Sequence, residues 1–400
     1  GYTMIMAETS LGRLTRKSPV GAYESFGKSK WLSLGGWINA IIPILIVPYY
    51  SVIGGWVIKY LWEYVLGHGQ ELASDTYFSS FISNGTSAEI CFVVFTLFTV
   101  GIIYAGVRNG IERVSKFMMP ILVILSVIIA IYSITRPGAL AGVKYFLVPN
   151  PANFSWMTVV SAMGQMFYSL SIAMGILVTF GSYMKKEMSI EDSTRNVEVF
   201  DTAIAIMAGL MIIPAVFAFS GGDPDTLQAG PSLMFITIPK VFANMGFGTV
   251  VGILFFLLVL FAAVTSSIAL TESAVSTFED ELHWSRKKAT LFMTVIMLLL
   301  GSLSCLGYGP LSNVKIIGMQ FLDFFDFLTN SVMMPIAALA TCLLISRVAG
   351  VDKIEEEVTQ NGQPFRRRKI FHFMLRYLCP IFAVIILLSS VANAFGWISM

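Results

Sequence analysis

Met166-Phe167-Tyr168-Ser169-Leu170-Ser171-Ile172-Ala173-Met174-Gly175 is the stretch on which the reading of this chain turns. It lies inside an apolar segment, Trp156 to Tyr183, of a length that crosses a bilayer. Hydroxyls and small residues are concentrated where a spanning helix should be least interrupted. In lipid each unpaired backbone group costs several kcal/mol, so a mid-membrane break survives only where it lines a cavity or binds something. Broken helices of this kind expose backbone to substrates and ions in secondary transporters. The competing reading is a tilted, continuous helix whose small residues serve close packing.

Working outward, composition fixes the class. The chain is 56% hydrophobic and 12% charged, with mean hydropathy +0.76. A soluble domain carries about 25% charged residues, so the expectation is an all-α polytopic membrane protein of the cell membrane. A net charge of +2 and the lack of a basic stretch interleaved with aromatics argue against a nucleic-acid partner. Cys91, Cys305, Cys342 and Cys379 lie in or beside apolar segments without metal-ligand spacing, which fits packing. His68, His283 and His372 each fall in or next to an expected loop, and no histidine cluster is evident.

Apolar runs able to cross about 30 Å of hydrocarbon occur at roughly 31–67, 88–106, 117–136, 156–184, 197–220, 246–279, 288–306, 315–346 and 370–400. Residues 1–8 read as the second half of a further span, so the chain is expected to be a fragment. It is read as a single transmembrane domain over 1–400, with about nine full spans plus part of one. Alternate loops (12–30, 107–117, 184–195, 279–289, 347–370) hold 20 of the 26 Lys and Arg residues, the opposite set only 4. The first set is therefore cytoplasmic. The 350–369 stretch, with Glu355-Glu356-Glu357 and Arg366-Arg367-Arg368, is expected to be a solvated connector.

Charged groups within spans are costly and usually functional; here they are Glu8, Asp201, Glu272, Asp323 and Asp326. Asp201 reads as standing at the cytoplasmic end of its span, either as a solvated carboxylate or as a cation ligand. Thr265-Ser266-Ser267 places three consecutive hydroxyls deep in the 246–279 run. They cannot all bond back to one helix face, so some must turn to a partner or a ligand. Oxygen-rich positions on two helices, with no strongly basic residue between them, point to cation coordination. Tyr49-Tyr50 lies midway along 31–67, after Pro43 and Pro48, and Gly110 and Pro120 would let a cytoplasmic helix end bend.

The Tyr49-Tyr50 pair, Gly-Ile-Glu-Arg (110–113), Gly-Gln-Met-Phe-Tyr-Ser-Leu-Ser (164–171), Thr-Ser-Ser-Ile-Ala (265–269) and Phe-Glu-Asp-Glu-Leu (278–282) occur in this order. Together they resemble the neurotransmitter:sodium symporter family, in particular its bacterial amino-acid transporters. The resemblance implies the family's inverted-repeat fold, with a broken helix near 169–175. It runs from midway through the family's second helix to its eleventh, so the first and twelfth helices, and with them part of both sodium sites, would lie outside this chain.

The resemblance also implies roles. Tyr50 would hold the substrate carboxylate, with Ile46 lining the same pocket. Tyr168 would be an aromatic lid, where the family usually has Phe. Ser169, Ser171, Ala173, Met174, Ser266 and Leu270 would complete the substrate site. Sodium would meet Ser169 and Asp201 at one site, and the Ala262 carbonyl with Thr265 and Ser266 at the other. Asp326 would be half of the extracellular gate and Asp280 half of the intracellular one, with Tyr183 supporting it and Glu8 bracing the unwound stretch. Gly110 and Pro120 would help open the inside path.

Three departures from the family pattern matter. Asp201 falls where many members have Asn, and Ala205, one turn later, where chloride-dependent members have Ser. A built-in carboxylate supplies the charge that chloride otherwise brings, so chloride independence is expected, and a protonatable Asp201 could carry protons on the return step. Ala173 replaces a common Gly and narrows the pocket. The function so implied is sodium-coupled import of neutral, hydrophobic amino acids. The alternatives are a non-transporting binding or regulatory protein and an intramembrane enzyme using Asp323, Asp326 or Glu272.

Overall fold

The computed structural model describes residues 1–399, which form helices joined by short connections. In chain order these are α1 (Tyr2–Thr15), α2 (Pro19–Glu24), α3 (Lys30–Val65), α4 (Gly69–Leu72), α5 (Tyr77–Ser83) and α6 (Gly85–Tyr104). They continue as α7 (Val107–Ile134), α8 (Leu140–Leu147), α9 (Trp156–Ser169), α10 (Ile176–Tyr183), α11 (Ile190–Ser220) and α12 (Leu233–Ala243). The last are α13 (Gly248–Leu282), α14 (Arg286–Leu306), α15 (Phe321–Ala349), α16 (Val351–Val358) and α17 (Arg368–Ala394). Among the described residues, eight helices are long and apolar enough to span a membrane. Another crossing is divided between α9 and α10.

Polar side chains fix many helix starts. Ser29, Asn84, Ser189 and Ser285 each accept a backbone N–H from the first turn of α3, α6, α11 and α14. Ser155 forms a reciprocal capping box with Thr158 at the head of α9. Such caps satisfy donors that have no partner within the helix. Asn84 thus has a structural use, its side chain accepting from Ser87.

α3 is the central element and packs against α6, α13 and α14, while α1 packs on α10 and α11. Tyr60, Phe92, Phe95 and Phe256 are among the largest fully buried side chains, and they come from α3, α6 and α13. α15 and α17 pack side by side, and α15 also touches α3. α7 opens with a π-helical turn, Val107–Glu112, and α15 and α17 contain others at Phe327–Met333, Leu344–Ala349 and Met374–Leu378.

Three expectations need correction. The run read as 197–220 begins at Ile190, because the polar segment before Val197 is helical too. Asp201 therefore sits about three turns inside α11, not at its end. The 350–369 stretch is more than a solvated connector. Val351, Ile354 and Val358 of α16 are buried, as is Glu357. Its charged face disguised the apolar one. The run 315–346 starts as helix only at Phe321, and Met400, at the end of the run 370–400, lies outside the described residues.

Candidate functional site

α9 stops at Ser169 and α10 starts at Ile176, so the expected break is present. Ser171 (φ 56°), Ala173 (φ 60°) and Gly175 (φ 72°) occupy the left-handed region. For a residue with a Cβ that region costs about 1–2 kcal/mol, and such strain persists only where surrounding structure enforces it. The enforcing contact here is Glu8 of α1, wholly buried, whose Oε1 accepts the Ala173 N–H at 2.9 Å. Its Oε2 is buried without a partner. Gly175 has no room for a side chain either. A Cβ there would lie 2.9 Å from Pro19 Cγ and 3.0 Å from the Asn39 carbonyl oxygen.

At the near lip of the break the Ser169 hydroxyl donates to Asp201 Oδ1 at 2.7 Å. The three hydroxyls of α13 diverge as their spacing requires. Thr265 Oγ1 bonds back to the carbonyls of Phe261 and Ala262, each at 3.0 Å. Ser267 accepts from Thr99 of α6 at 3.2 Å. Ser266 is exposed and faces the phenol of Tyr50. Ile46, Ala173, Met174 and Leu270 belong to one buried apolar cluster, with Tyr50, Tyr168 and Ala262 packed against it. Ser171 is half-buried in the unwound turn.

At the end of the bundle that the loop charges assign to the outside, Asp326 accepts from Tyr49 at 3.2 Å and from the Asn330 amide. Tyr49 also meets Thr329 at 3.2 Å. Tyr168 is within electrostatic reach of both Tyr50 and Asp326. Asp323 accepts from Tyr308 at 3.2 Å, and burial, followed by the charge of Asp323, holds that phenol well above the usual tyrosine range.

At the opposite end, which the loop charges assign to the cytoplasm, Asp280 Oδ2 accepts the backbone N–H of Ser18, the N-cap of α2, at 2.6 Å. Among the described residues it makes no ion pair. It lines a cleft of about 840 Å³ in which Glu279, Asp280 and Glu281 share the walls with Lys17, Lys28 and Lys30. The Tyr183 hydroxyl donates to Glu272 Oε1 at 2.7 Å. Arg286 grips both oxygens of Glu272, at 3.1 and 2.5 Å, and also the Ile103 carbonyl. Gly110 lies in the π-helical turn of α7, where a Cβ would sit 2.1 Å from the Ile102 carbonyl oxygen, and Pro120 follows inside the same helix.

Sequence reasoning missed three arrangements. It flagged Glu272 without its partner Arg286. It passed over Arg13, which is fully buried, pairs with Glu357 at 2.6 Å and donates to the carbonyls of Met188 and Glu357. It also passed over the contact of His68 with Glu63, 2.6 Å apart with Glu71 alongside. The residues involved lie far apart in sequence or on either side of a turn, where no periodic signal links them.

A family profile described as "Sodium:neurotransmitter symporter family" matches residues 70–396. An uncharacterized sodium-dependent transporter of Bacillus subtilis, YhdH, is 34% identical over 98% of this chain and 87% of its own length. A second, from Haemophilus influenzae, is 30% identical over the same shares. The crystal structure of MhsT in complex with L-phenylalanine superposes with a TM-score of 0.85 at 33% identity, over 98% of this chain and 88% of that one. A multi-pass helical bundle with one crossing unwound at its polar midpoint, matched over nearly all of its length by sodium-dependent transporters, is not an enzyme: the chain belongs to the sodium:neurotransmitter symporter family.

Proposed function

We propose that this protein imports neutral, hydrophobic amino acids together with sodium and without a need for chloride. The observation that carries the proposal is the 2.7 Å hydrogen bond between Ser169 and Asp201. It sets a carboxylate and a hydroxyl, hard ligands suited to sodium, beside the unwound backbone. The substrate class draws support from the phenylalanine bound by the similar MhsT. It also rests on the apolar lining offered by Ile46, Met174 and Leu270.

In this reading Tyr50 and Ser266 receive the substrate carboxylate, and Tyr168 closes over it. Ser169 and Asp201 contribute to one sodium site. Ala262, Thr265 and Ser266 contribute to a second, where the mutual bond of Thr265 and the Ala262 carbonyl gives way to the ion. Ions and substrate share ligands, so each favours the other's binding, which is the thermodynamic content of coupling. Asp326 with Tyr49 would restrain the outer path, and Asp280 and Tyr183 the inner one. The π-helical turn at Gly110, followed by Pro120, provides a point where α7 yields.

The test is uptake of labelled amino acids by the full-length protein in proteoliposomes. Uptake of phenylalanine or leucine that requires an inward sodium gradient, and is indifferent to replacing chloride by gluconate, is expected. Uptake in potassium alone, or preference for lysine or glutamate, would defeat the proposal.

A further inference from the structure

α17 enters the membrane from the cytoplasmic connector, and its first turns carry more positive charge than their neighbours neutralise. Arg367 pairs with Glu198 at 3.1 Å, and Arg368 and His372 both pair with Glu355, at 2.8 and 3.0 Å. Lys369 and Arg376 pair with no carboxylate among the described residues. Seven positions apart, they lie on one face of the helix, two turns from each other. That face looks outward. Ile370, Phe373, Tyr377 and Ile381 are each more than half exposed and continue into the apolar stripe of a lipid-facing helix.

We propose that Lys369 and Arg376 form a binding site for the phosphate headgroup of an anionic phospholipid in the cytoplasmic leaflet. The two basic residues line a cleft of about 570 Å³ together with Arg368, His372, Phe373 and Tyr377. Phe373 and Tyr377, with ring centroids 5.6 Å apart, provide an aromatic wall of the kind enriched at membrane interfaces. An arginine two turns inside a lipid-facing helix is tolerated only where its head reaches the polar boundary. Side chains tilt toward the N-terminus of their helix, so Arg376 leans toward the end of α17 that carries Lys369, with which it lines one cleft.

Two further features fit this occupant. The π-helical turn Met374–Leu378 is centred on Arg376, and such turns often mark functional positions. The backbone N–H groups of Arg366 and Arg367 are already taken by Glu191, so recognition falls to the side chains. A headgroup bound here would add to the lattice in which Arg368 and His372 hold Glu355 of α16, the helix whose Glu357 pairs with Arg13.

The experiment uses the full-length protein in nanodiscs of phosphatidylcholine with increasing phosphatidylglycerol. Lipid retained after gentle detergent extraction is counted by native mass spectrometry. The wild type should retain phosphatidylglycerol in preference to phosphatidylcholine. The Lys369→Gln/Arg376→Gln variant should lose about thirty-fold in that preference, the effect of removing two juxtamembrane cations. A charge-keeping Lys369→Arg/Arg376→Lys variant should restore it, which separates charge from folding. Inorganic phosphate added to phosphatidylcholine discs should not raise the melting temperature of the wild type, whereas phosphatidylglycerol should. Equal retention by wild type and the Gln variant, or stabilisation by free phosphate alone, would overturn the proposal.

Discussion

The hydroxyl of Ser169, the last residue of α9, donates to the carboxylate of Asp201, three turns inside α11, at 2.7 Å. One helix is therefore pinned to another at the point where the first of them unwinds. Replacing Asp201 by Asn keeps a hydrogen-bond acceptor and removes the charge. In the proposed sodium site that charge faces the cation itself, so Asp201→Asn should raise the sodium concentration for half-maximal uptake by about tenfold or more, a loss of about 1.4 kcal/mol. If the carboxylate stands in for chloride, the same variant should also acquire stimulation by chloride. Sodium titrations of uptake in chloride and in gluconate measure both.

Among the described residues, Glu8 is the one hydrogen-bond partner of the Ala173 N–H in the unwound turn. Glu8→Ala leaves that donor unpaired in a buried place, at a cost of about 1–3 kcal/mol. The variant should melt several degrees lower and lose most of its uptake. Glu8→Gln keeps an acceptor and should fold close to normally. Fluorescence-detected thermal unfolding of the three proteins decides it.

Ala173 pays for a left-handed backbone that glycine adopts freely. Ala173→Gly should hold or raise the melting temperature, since it removes about 1 kcal/mol of strain, and should improve competition by tryptophan against a smaller substrate. A loss of stability would mean that the buried methyl outweighs the strain.

Arg13 and Glu357 are both inaccessible and 344 positions apart. Removing one partner strands the other's charge, which typically costs about 3–5 kcal/mol. Arg13→Met and Glu357→Met should each be strongly destabilised, and the double variant less so than either. Melting temperatures of all four proteins form the cycle that reads the coupling.

How far the sequence disclosed this molecule depended on the reach of each signal. Spans and their break were legible because bilayer thickness imposes a length and a composition on them, and hydroxyls at mid-span stand out against it. The divergence of Thr265, Ser266 and Ser267 followed from helix geometry alone. Asp201 was misplaced because α11 continues through Glu191, Asp192 and Arg195, where polarity mimics a loop. Arg13 with Glu357 and Arg286 with Glu272 had no such signal, since each pairing is made by tertiary packing. The apolar face of α16, with Val351, Ile354 and Val358 at helical spacing, was present in the sequence but masked by three successive glutamates.

The most direct test is equilibrium binding of labelled phenylalanine and leucine to the full-length protein, in sodium and then in potassium, each with and without chloride. The account predicts binding that requires sodium and is unchanged by removing chloride. Binding that also needs chloride would contradict the role given to Asp201, and binding that is indifferent to sodium would contradict sodium-coupled amino-acid transport itself.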